Sequence, residues 1–405
     1  MLDHLRLMIP FDASLVVTDH EGRFGLVAVD LHELDIPLAA RAVEKYDDGS
    51  VHASALYHPY ESLPTSFTAM AMKVHLDSSQ WPCVELKASP AKIMQGHNVF
   101  GSDDIESGAL EMLGFLAEAY PALYAMLYVQ DTEVHHMDIT YSARLKDEQQ
   151  VKLVIDYFSR VSDGQTRASK KQFDGSCYWG GETSRLINHK AYAKFAEFMA
   201  QLDEYKKRAS KNDAHAKRVV DVMMDTRLID WTKGLLRWES RLKRRYLQRR
   251  EIPTNLFELI KHQRQNPDLL QNLWLDATKS IFDALRGQTM KATDHDTVYK
   301  KLCNEYRTYT KSGRESLTKA RNLFNFYCAL ETHGATLMKE QYSESVYYQK
   351  FADLVAAGFS KAFLQNLHTE SKSNVIPLLK FTEVDFSAQL PSWYQPPASS
   401  FNYAA

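Results

Sequence analysis

The chain has 405 residues, of which 44% are hydrophobic and 25% are charged, with 16 Gly and 13 Pro. This composition excludes collagen-like, low-complexity and largely disordered proteins, and the length favours two or three domains. The apolar runs are too short to span a bilayer, and the first residues carry acids where a secretion signal needs a basic start. We therefore expect a protein that is neither membrane-bound nor exported. The 4 Cys residues are widely spaced without a C-x-x-C pair, which fits a reducing compartment.

The net charge of -2 hides a contrast along the chain. Residues 1–150 carry 9 Lys and Arg against 23 Asp and Glu, whereas residues 151–250 carry 23 against 12. The densest part, from Arg237 to Arg250, holds seven cations and one acid. Such a stretch can place several positive groups along a polyanion. A solvated charged face would give the same composition.

The first 150 residues carry both strand and helix patterns. Residues 1–100 are predicted as strands and loops, because β-rich runs such as "FGLVAVDL" and "PCVELKAS" are separated by turn residues. An N-cap near Asp103 opens a helix in "DDIESGALEMLGFLAEAY", and "DEQQVKLVIDYFSRV" is predicted as a second helix. Between these helices, "EVHHMDITYSAR" is predicted as a strand.

The basic middle region predicts three strands and one helix. The short runs "SCYWG" and "NHKAYAKF" are predicted as strands on either side of a turn, and "KFAEFMAQLDEYKKRA" follows as a helix. The segment "GLLRWESRLKRRYL" is predicted as a strand over its whole length.

From Pro253 onward the pattern is helical. One helix is predicted to end at Gly287, a second at Gly334, and two short helices flank Gly358. A strand-like run, "NVIPLLKFTEVDF", comes next. This order fits a winged-helix-like module, and a plain helical domain fits it as well. The predicted fold class is α+β: an antiparallel sheet core with flanking helices, followed by a mainly helical C-terminal domain.

The predicted strands each have one polar face, because successive side chains of a strand point to opposite sides. Asp138, Tyr192 and Glu239 all fall on such faces and so point away from the apolar core. The other polar-face residues are His136 and Thr140 beside Asp138, Lys190 and Lys194 beside Tyr192, Arg237, Arg241 and Lys243 beside Glu239, and Lys87 beside Glu85.

If these strands form one sheet, its polar surface suits phosphodiester chemistry. Asp138 and Glu239 could hold a hard divalent ion that polarises the scissile phosphate. Tyr192 could attack the phosphate and form a phosphotyrosine link that stores the bond energy for rejoining. Neighbouring lysines would stabilise the extra negative charge and favour the phenolate. The residues alone therefore predict a nucleic-acid protein that could use a metal ion.

Each of these residues also has a simpler interpretation. Tyr192 is one of 21 tyrosines, most of which serve packing or lie on the surface. By spacing alone, Glu239 is an ion-pair partner of Arg237 or Arg241, and Asp138 is a surface acid.

The spacing of the histidines and the lack of three common motifs argue against one kind of metal site and several classes of enzyme. His135 and His136 are adjacent, so on a regular strand they face opposite ways and cannot form an H-x-H metal site. His136 could join Asp138 as an H-x-D pair, although a surface histidine is the simpler interpretation. The sequence has no Walker A loop, G-x-G-x-x-G or G-x-S-x-G, which argues against nucleotide hydrolysis, dinucleotide enzymes and serine hydrolases.

Several segments resemble those of the gene II replication-initiation proteins of filamentous phages. They keep one order and span nearly the whole chain. The matching segments are "HPYESLPT" from His58, "CVELKASPAKIMQGHNVFG" from Cys83, "MDITYSAR" from Met137, "SDGQT" from Ser162, "ETSR" from Glu182, "AYAK" from Ala191, "RWESRLKRRYL" from Arg237 and "NVIPLLKFTEVDFSAQLPSWY" from Asn374.

The resemblance implies a nicking and closing enzyme for rolling-circle replication. Such an enzyme binds the origin in supercoiled double-stranded phage DNA, cuts the plus strand to leave a 3′-hydroxyl, and later cuts and circularises the displaced single strand. The resemblance also implies dependence on Mg²⁺, for which Mn²⁺ could substitute, and a location in the cytoplasm of the bacterial host. The implied partners are a host helicase, a host DNA polymerase and further copies of the chain on DNA, with no membrane.

A more distant similarity to plasmid rolling-circle initiators bears on the site residues. The segment "YWGGETSRLINHKAYAK" followed by "RWESRLK" is similar to their active-site region, which uses a tyrosine and a carboxylate-bound metal. Tyr192 matches the tyrosine, with Lys190 and Lys194 as its catalytic neighbours. Asp138 and Glu239 match the metal-binding acids, and Glu197 is a further ligand candidate. The residues expected to bind DNA are Arg237, Arg241, Lys243, Arg244, Arg245, Lys87 and Lys92.

The change of sequence pattern at Pro253 and near Met290 predicts a domain assignment. Residues 1–252 are expected to form the origin-binding and nicking domain with a sheet-based nuclease core, residues 253–289 a helical connection, and residues 290–405 a C-terminal helical domain. Family members also make the last third from an internal start, and Met290 is the equivalent position. The alternative function is a non-catalytic, origin-binding replication regulator, in which the acids and Tyr192 would be structural.

Overall fold

The computed structural model describes most of the chain. The described residues are 1–18, 20, 22, 24–26, 31, 34–46, 49–76, 81–158, 175–181, 183–285, 295–309, 313–370 and 384–401. They form two compact units. The sheet unit contains Met1–Glu148, Thr183–Leu275 and Asp385–Ala405, and the helical unit contains Gln149–Glu182 and Asp276–Val384.

The bounds of the described strands are β1 Leu2–Pro10, β2 Val16–Thr18, β3 Phe24–Leu26, β4 Ala39–Lys45, β5 Val51–Tyr57, β6 Glu61–Leu63, β7 Met70–His75, β8 Cys83–Ala88, β9 Glu133–Arg144, β10 Ser176–Trp179, β11 Ile187–Ala193, β12 Leu235–Lys243, β13 Thr308–Tyr309 and β14 Glu315–Ser316. The longest strands are β9, with 12 residues, and β1 and β12, with 9 residues each.

Helices occupy the segments between the strands and most of the last third of the chain. Their bounds are α1 Pro90–Gln95, α2 Ile105–Ala119, α3 Pro121–Tyr124, α4 Glu148–Phe158, α5 Lys194–Ala209, α6 Ala214–Met223, α7 Thr226–Thr232, α8 Arg244–Arg249, α9 Leu256–Gln265, α10 Leu269–Leu285, α11 His295–Tyr306, α12 Thr318–Gln341, α13 Glu344–Ala356 and α14 Lys361–Glu370. None of the described helices is long and apolar enough to cross a membrane.

Within the sheet unit, seven of the described strands form one large antiparallel sheet in the order β11-β12-β9-β1-β8-β7-β6, and β2-β3 and β4-β5 form two separate two-stranded sheets. β1 lies in the middle of this order, and its alternating sequence buries Leu5, Leu7 and Ile9 on one face of the sheet and places His4 and Arg6 on the other. The apolar face extends to Tyr141 of β9, whose ring centroid lies 5.3 Å from that of Trp274 in α10. The opposite face carries the candidate site.

A second group of buried residues lies around α5, α6 and α7. It includes Phe198 and Leu202 of α5 and the loop residues Val99 and Phe100, and Trp393 and Tyr394 near the C-terminus pack against it. Residues 385–401 are therefore part of the sheet unit, although residues 276–384, which precede them, belong to the helical unit.

The α+β prediction is confirmed, and most predicted elements are present with small shifts at their ends. The first cap is Asp104 rather than Asp103, since its carboxylate accepts from the backbone N–H of Glu106 at 3.0 Å. The strand predicted through Leu247 ends at Lys243, and the remainder forms α8.

The C-terminal helices follow the predicted pattern. Gly334 has φ 82° and breaks the helix there, but helical residues resume and α12 ends at Gln341. Gly358 separates α13 from α14. Met290, Gly287 and most of the strand-like run from Asn374 lie outside the described residues. The choice between a winged-helix-like module and a plain helical domain stays open, as do the predicted domain boundaries.

Candidate active site

The predicted site residues come together on the polar face of the sheet because four neighbouring strands are in register. Lys190 of β11 lies opposite Glu239 of β12, which lies opposite Thr140 of β9. Two residues further along the same face, Asp138 of β9 lies between Arg241 of β12 and His4 of β1. The face is thus built from residues far apart in the sequence.

Tyr192 and Glu239 form the closest pair on this face. The Tyr192 hydroxyl donates a hydrogen bond of 2.5 Å to Glu239 Oε1. Tyr192 is only 3% exposed, and its ring lies beneath the Lys190 ammonium, which is 4.1 Å from the ring centroid. A tyrosine next to a carboxylate acceptor is the arrangement expected of a nucleophile with its base.

Burial shifts the pKa values of both partners upward. Burial raises the pKa of Glu239 to about 7, and the charge of Asp3 adds to the rise, while Lys190 and Arg237 oppose it. Burial, followed by the charge of Glu239, also holds the pKa of Tyr192 well above its usual value. The expectation that nearby lysines favour the phenolate is therefore wrong, because desolvation and the adjacent carboxylate outweigh their effect. The phenol needs a base to lose its proton.

Lys194 sits beneath the tyrosine, at the first position of α5. Its ammonium lies 5.9 Å from the Tyr192 ring centroid and donates to Asn98 Oδ1 at 2.9 Å and to Glu197 Oε2 at 2.6 Å. Burial and the charge of Arg237 lower the pKa of Lys194 to about 8, and Glu197 opposes the shift. Lys194 and Glu197 thus form an ion pair beside the site, in which the Lys194 side chain is buried and that of Glu197 is 25% exposed.

Asp138, and not Glu239, is the acid that pairs with Arg241. Arg241 Nε and Nη2 donate to the two Asp138 oxygens at 2.8 and 2.7 Å. Arg241 is therefore the ion-pair partner of Asp138, and the pairing of Arg241 with Glu239 suggested by spacing is not what the structure shows. The bidentate pair fixes the orientation of the carboxylate.

Asp138 also belongs to a potential metal site. One ligand atom from each of His4, His136 and Asp138 lies within 4.8 Å of the others, and in the described part of the chain this is the only such group of three or more. The two imidazole rings are stacked, with centroids 5.3 Å apart. Glu239 and Glu197, the other predicted metal ligands, are not members of this group.

The two histidines are suited to binding a cation. His136 is only 7% exposed, so it is not the surface histidine that the sequence favoured. Burial, together with the charge of Arg241, lowers the pKa of His136 to about 2, and burial lowers that of His4. Burial therefore favours the neutral form of both rings, and among the described residues no hydrogen-bond partner is found for His4 Nδ1 or His136 Nε2. The neutral imidazole is the form of histidine that can bind a metal ion.

Arg237, predicted to bind DNA, points into the protein. It is only 1% exposed and donates to the backbone carbonyls of Asn98 and Val99, the latter at 3.0 Å. A guanidinium in this position ties β12 to the loop that also holds Lys194 through the Asn98 side chain. The structure thus places Arg237 among the supports of Tyr192 rather than on the surface.

The other cations predicted to bind DNA lie nearer to solvent. Arg244 has a side chain that is 48% exposed, and Arg245 is exposed on the same helix, α8. Lys243, Lys87 and Lys92 are partly exposed. The Lys243 ammonium donates to the Ser184 carbonyl, the Lys92 ammonium donates to Gln201 Oε1 at 3.0 Å, and the Lys87 ammonium lies 3.5 Å from the Tyr60 ring centroid.

Sequence reasoning did not identify His4, Asp3 or Asn98. The alternation in "LDHLRLMIP" places His4 and Arg6 on a polar face, and this signal was present in the sequence. Which strand His4 and Arg6 lie beside depends on the long-range pairing of β1 with β9, and local patterns do not predict that pairing. The pairing of β1 with β9 has an irregularity in register between Leu2 and His4, where Asp3 lies. Simple alternation does not predict the face to which a residue at such an irregularity points.

Comparison with known proteins gives matches over both units. The family model for the N-terminal part of the phage replication-associated protein, the gene II protein, matches residues 1–265, and the model for its C-terminal part matches residues 309–400. The replication-associated gene II protein of Salmonella phage IKe is 37% identical over 414 residues, which cover 99% of this chain and 98% of that protein. The proteins of the same name from Enterobacteria phages fd and M13 are each 36% identical over 407 residues, covering 98% of this chain and 99% of each relative. No solved structure matches the chain significantly.

Proposed function

The chain belongs to the family of replication-associated gene II proteins of filamentous phages, and we propose that it starts phage DNA replication by cutting one strand of the origin. The resemblance to the gene II replication-initiation proteins is thereby confirmed. The cut in the plus strand would leave a 3′-hydroxyl for a host polymerase working with a host helicase. The same site would later cut and rejoin the displaced single strand in the host cytoplasm.

The hydrogen bond from Tyr192 to Glu239 is the observation that carries this proposal. In the cutting step, the Tyr192 oxygen attacks the phosphorus of the scissile phosphodiester while Glu239 accepts the phenolic proton. A bond from the tyrosine oxygen to phosphorus forms, and the bond from phosphorus to the 3′-oxygen breaks. The 3′-oxygen takes a proton from solvent and leaves as the 3′-hydroxyl.

Rejoining reverses these steps. A 3′-hydroxyl loses its proton to solvent as its oxygen attacks the phosphorus of the phosphotyrosine. The phosphodiester forms, the bond from the tyrosine oxygen to phosphorus breaks, and Glu239 returns the proton to the departing phenolate. Because the energy of the broken bond is retained in the phosphotyrosine, no nucleotide cofactor is required. Lys190, whose ammonium lies against the Tyr192 ring, would stabilise negative charge on the reacting phosphate.

His4, His136 and Asp138 are the residues that would hold the divalent ion. Their unpartnered buried nitrogens and adjacent carboxylate fit a cation, and two nitrogen donors suit Mn²⁺ better than Mg²⁺, which prefers oxygen. When bound, such an ion supplies Lewis acidity at a phosphate oxygen. Glu239 then serves the tyrosine, which is a different role from the metal ligand that the sequence suggested.

The proposal is tested with a supercoiled plasmid that carries the origin of the phage encoding this chain. We expect nicked and relaxed circles with Mg²⁺ or Mn²⁺, none with EDTA, and none with Tyr192→Phe. Tyr128→Phe, at a tyrosine that is 45% exposed, is the matched control and should cut normally. A gel shift of the origin without any cutting would instead indicate the non-catalytic regulator.

A further inference from the structure

A second group of residues lies on the same polar face and extends from β1 across β8 and β7. It is centred on Glu85 of β8, whose side chain is 0% exposed. Its four contacts are Arg6 Nε at 2.7 Å, His75 Nε2 at 2.7 Å, the Tyr60 hydroxyl at 2.9 Å and Lys87 Nζ at 3.7 Å. One buried acid therefore orients three basic side chains and one phenol.

Glu85 is held in its charged form. Burial alone would raise its pKa, but hydrogen bonds from His75 and Arg6, with the charge of Arg6, bring it to about 2. The carboxylate is already satisfied by these donors, and it is buried. Its role in this group is to fix the positions of its neighbours, whose outer parts remain open to solvent.

Tyr60 is the outermost member of the group. It is 50% exposed, and its hydroxyl is fixed by Glu85. The ammonium groups of Lys87 and Lys73 lie 3.5 and 5.1 Å from its ring centroid. An exposed aromatic ring held among cations combines the two features that bind single-stranded nucleic acid: a stacking surface for a base and positive charge for the backbone.

The group is continuous with the candidate active site. Arg6 of β1 lies opposite Lys87 on one side and opposite His136 on the other. Neighbouring strands are about 4.8 Å apart, and Arg6 shares β1 with the metal-site residue His4, so the two groups adjoin on this face. A DNA strand bound across the sheet would pass from the candidate active site to the Tyr60 group.

We propose that Tyr60, with Lys73, Lys87 and Arg6, binds an unpaired nucleotide of single-stranded DNA next to the cutting site. This inference rests on the proposed function for the identity of the substrate. An unpaired base can leave its neighbours and stack on Tyr60, whereas the bases of a duplex are already stacked on one another. The group therefore selects single-stranded over double-stranded DNA.

The test measures binding of the full chain to a labelled single-stranded origin oligonucleotide and to a duplex of the same sequence, by fluorescence anisotropy in EDTA. We expect Tyr60→Leu to weaken single-strand binding by roughly 5- to 100-fold, as loss of one base stack does. Duplex binding should change by less than about twofold. Tyr60→Phe keeps the ring and should retain most of the affinity, and Tyr128→Leu is the control at an equally exposed tyrosine.

The outcomes separate this inference from the proposed function, because binding is measured without cutting. Unchanged single-strand affinity in Tyr60→Leu, an equal loss for duplex and single strand, or no single-strand binding by the unmodified chain would each overturn the inference. Thermal unfolding of each variant is followed in parallel, and Tyr60→Phe provides the comparison if Tyr60→Leu is unstable. Selective loss of single-strand binding supports the inference even if Tyr192 proves not to cut.

Discussion

Replacing Glu239 with glutamine tests the pairing at the centre of the site. The amide is nearly isosteric with the carboxylate and can still accept the hydrogen bond that the Tyr192 hydroxyl donates to Glu239 Oε1. It cannot take up the phenolic proton, because a neutral amide is a very weak base. The geometry of the site is largely kept while the proton acceptor is lost.

The expected loss follows from the raised pKa of Tyr192. Because burial and the Glu239 charge disfavour the phenolate, the hydroxyl must lose its proton during the attack. General base catalysis of this kind contributes about 10²- to 10⁴-fold to a rate. We therefore expect Glu239→Gln to cut at least about 100-fold more slowly under single-turnover conditions.

The pH dependence gives an independent check. Since burial raises the pKa of Glu239 to about 7, the carboxyl is protonated at lower pH and cannot act as a base. The cutting rate of the unmodified chain should fall as the pH drops below about 7 and level off above it. This limb of the profile should be absent in Glu239→Gln.

The assay is single-turnover cutting of a single-stranded origin oligonucleotide with saturating Mn²⁺, followed from pH 5.5 to pH 8.5, roughly one and a half pH units on either side of the expected midpoint. Glu258→Gln, at an exposed glutamate on α9, is the matched control and should behave as the unmodified chain. A Glu239→Gln rate within about threefold of the control, far below the loss expected for a general base, would refute the reasoning.

Three other changes probe the surroundings of the site. His4→Ala and His136→Ala should each weaken Mn²⁺ binding about tenfold or more by calorimetry without DNA, and unchanged binding would exclude the histidines as ligands. The double change Arg244→Ala and Arg245→Ala should lower DNA affinity and reduce the slope of log K against log salt by about 2, whereas an unaltered slope would place both side chains off the DNA. Gln389→Ala removes two hydrogen bonds to the main chain of β9 and should lower the free energy of unfolding by about 1–3 kcal/mol in urea, and no change would mean that the C-terminal segment contributes nothing there.

Local patterns in the sequence predict much of the polar face. Alternation along β9, β11 and β12 places Asp138, Tyr192 and Glu239 on polar faces, and the observed register brings these strands side by side. The same alternation does not show how deeply a polar side chain is buried. Arg237 has the same strand pattern as Arg241, yet it is buried because the loop containing Asn98 covers it.

Features that depend on distant contacts escape sequence reasoning. His4 meets Asp138 only because β1 pairs with β9, more than 130 residues further along the chain. The C-terminal residues Trp393 and Tyr394 pack beside Phe100 in the same way, with ring centroids 5.3 Å apart in both pairs. The start of α8 was missed because "KRRYL" suits the end of a strand as well as the first turn of a helix.

The most direct test of the account is to identify the residue attached to the 5′-phosphate after cutting. A single-stranded origin oligonucleotide is cut with the unmodified chain, the protein is denatured and digested, and the peptide that carries the nucleotide is sequenced by mass spectrometry. The account predicts a phosphodiester link to the Tyr192 oxygen. Attachment to another residue, or cutting that leaves a free 5′-phosphate and never a protein adduct, would contradict it.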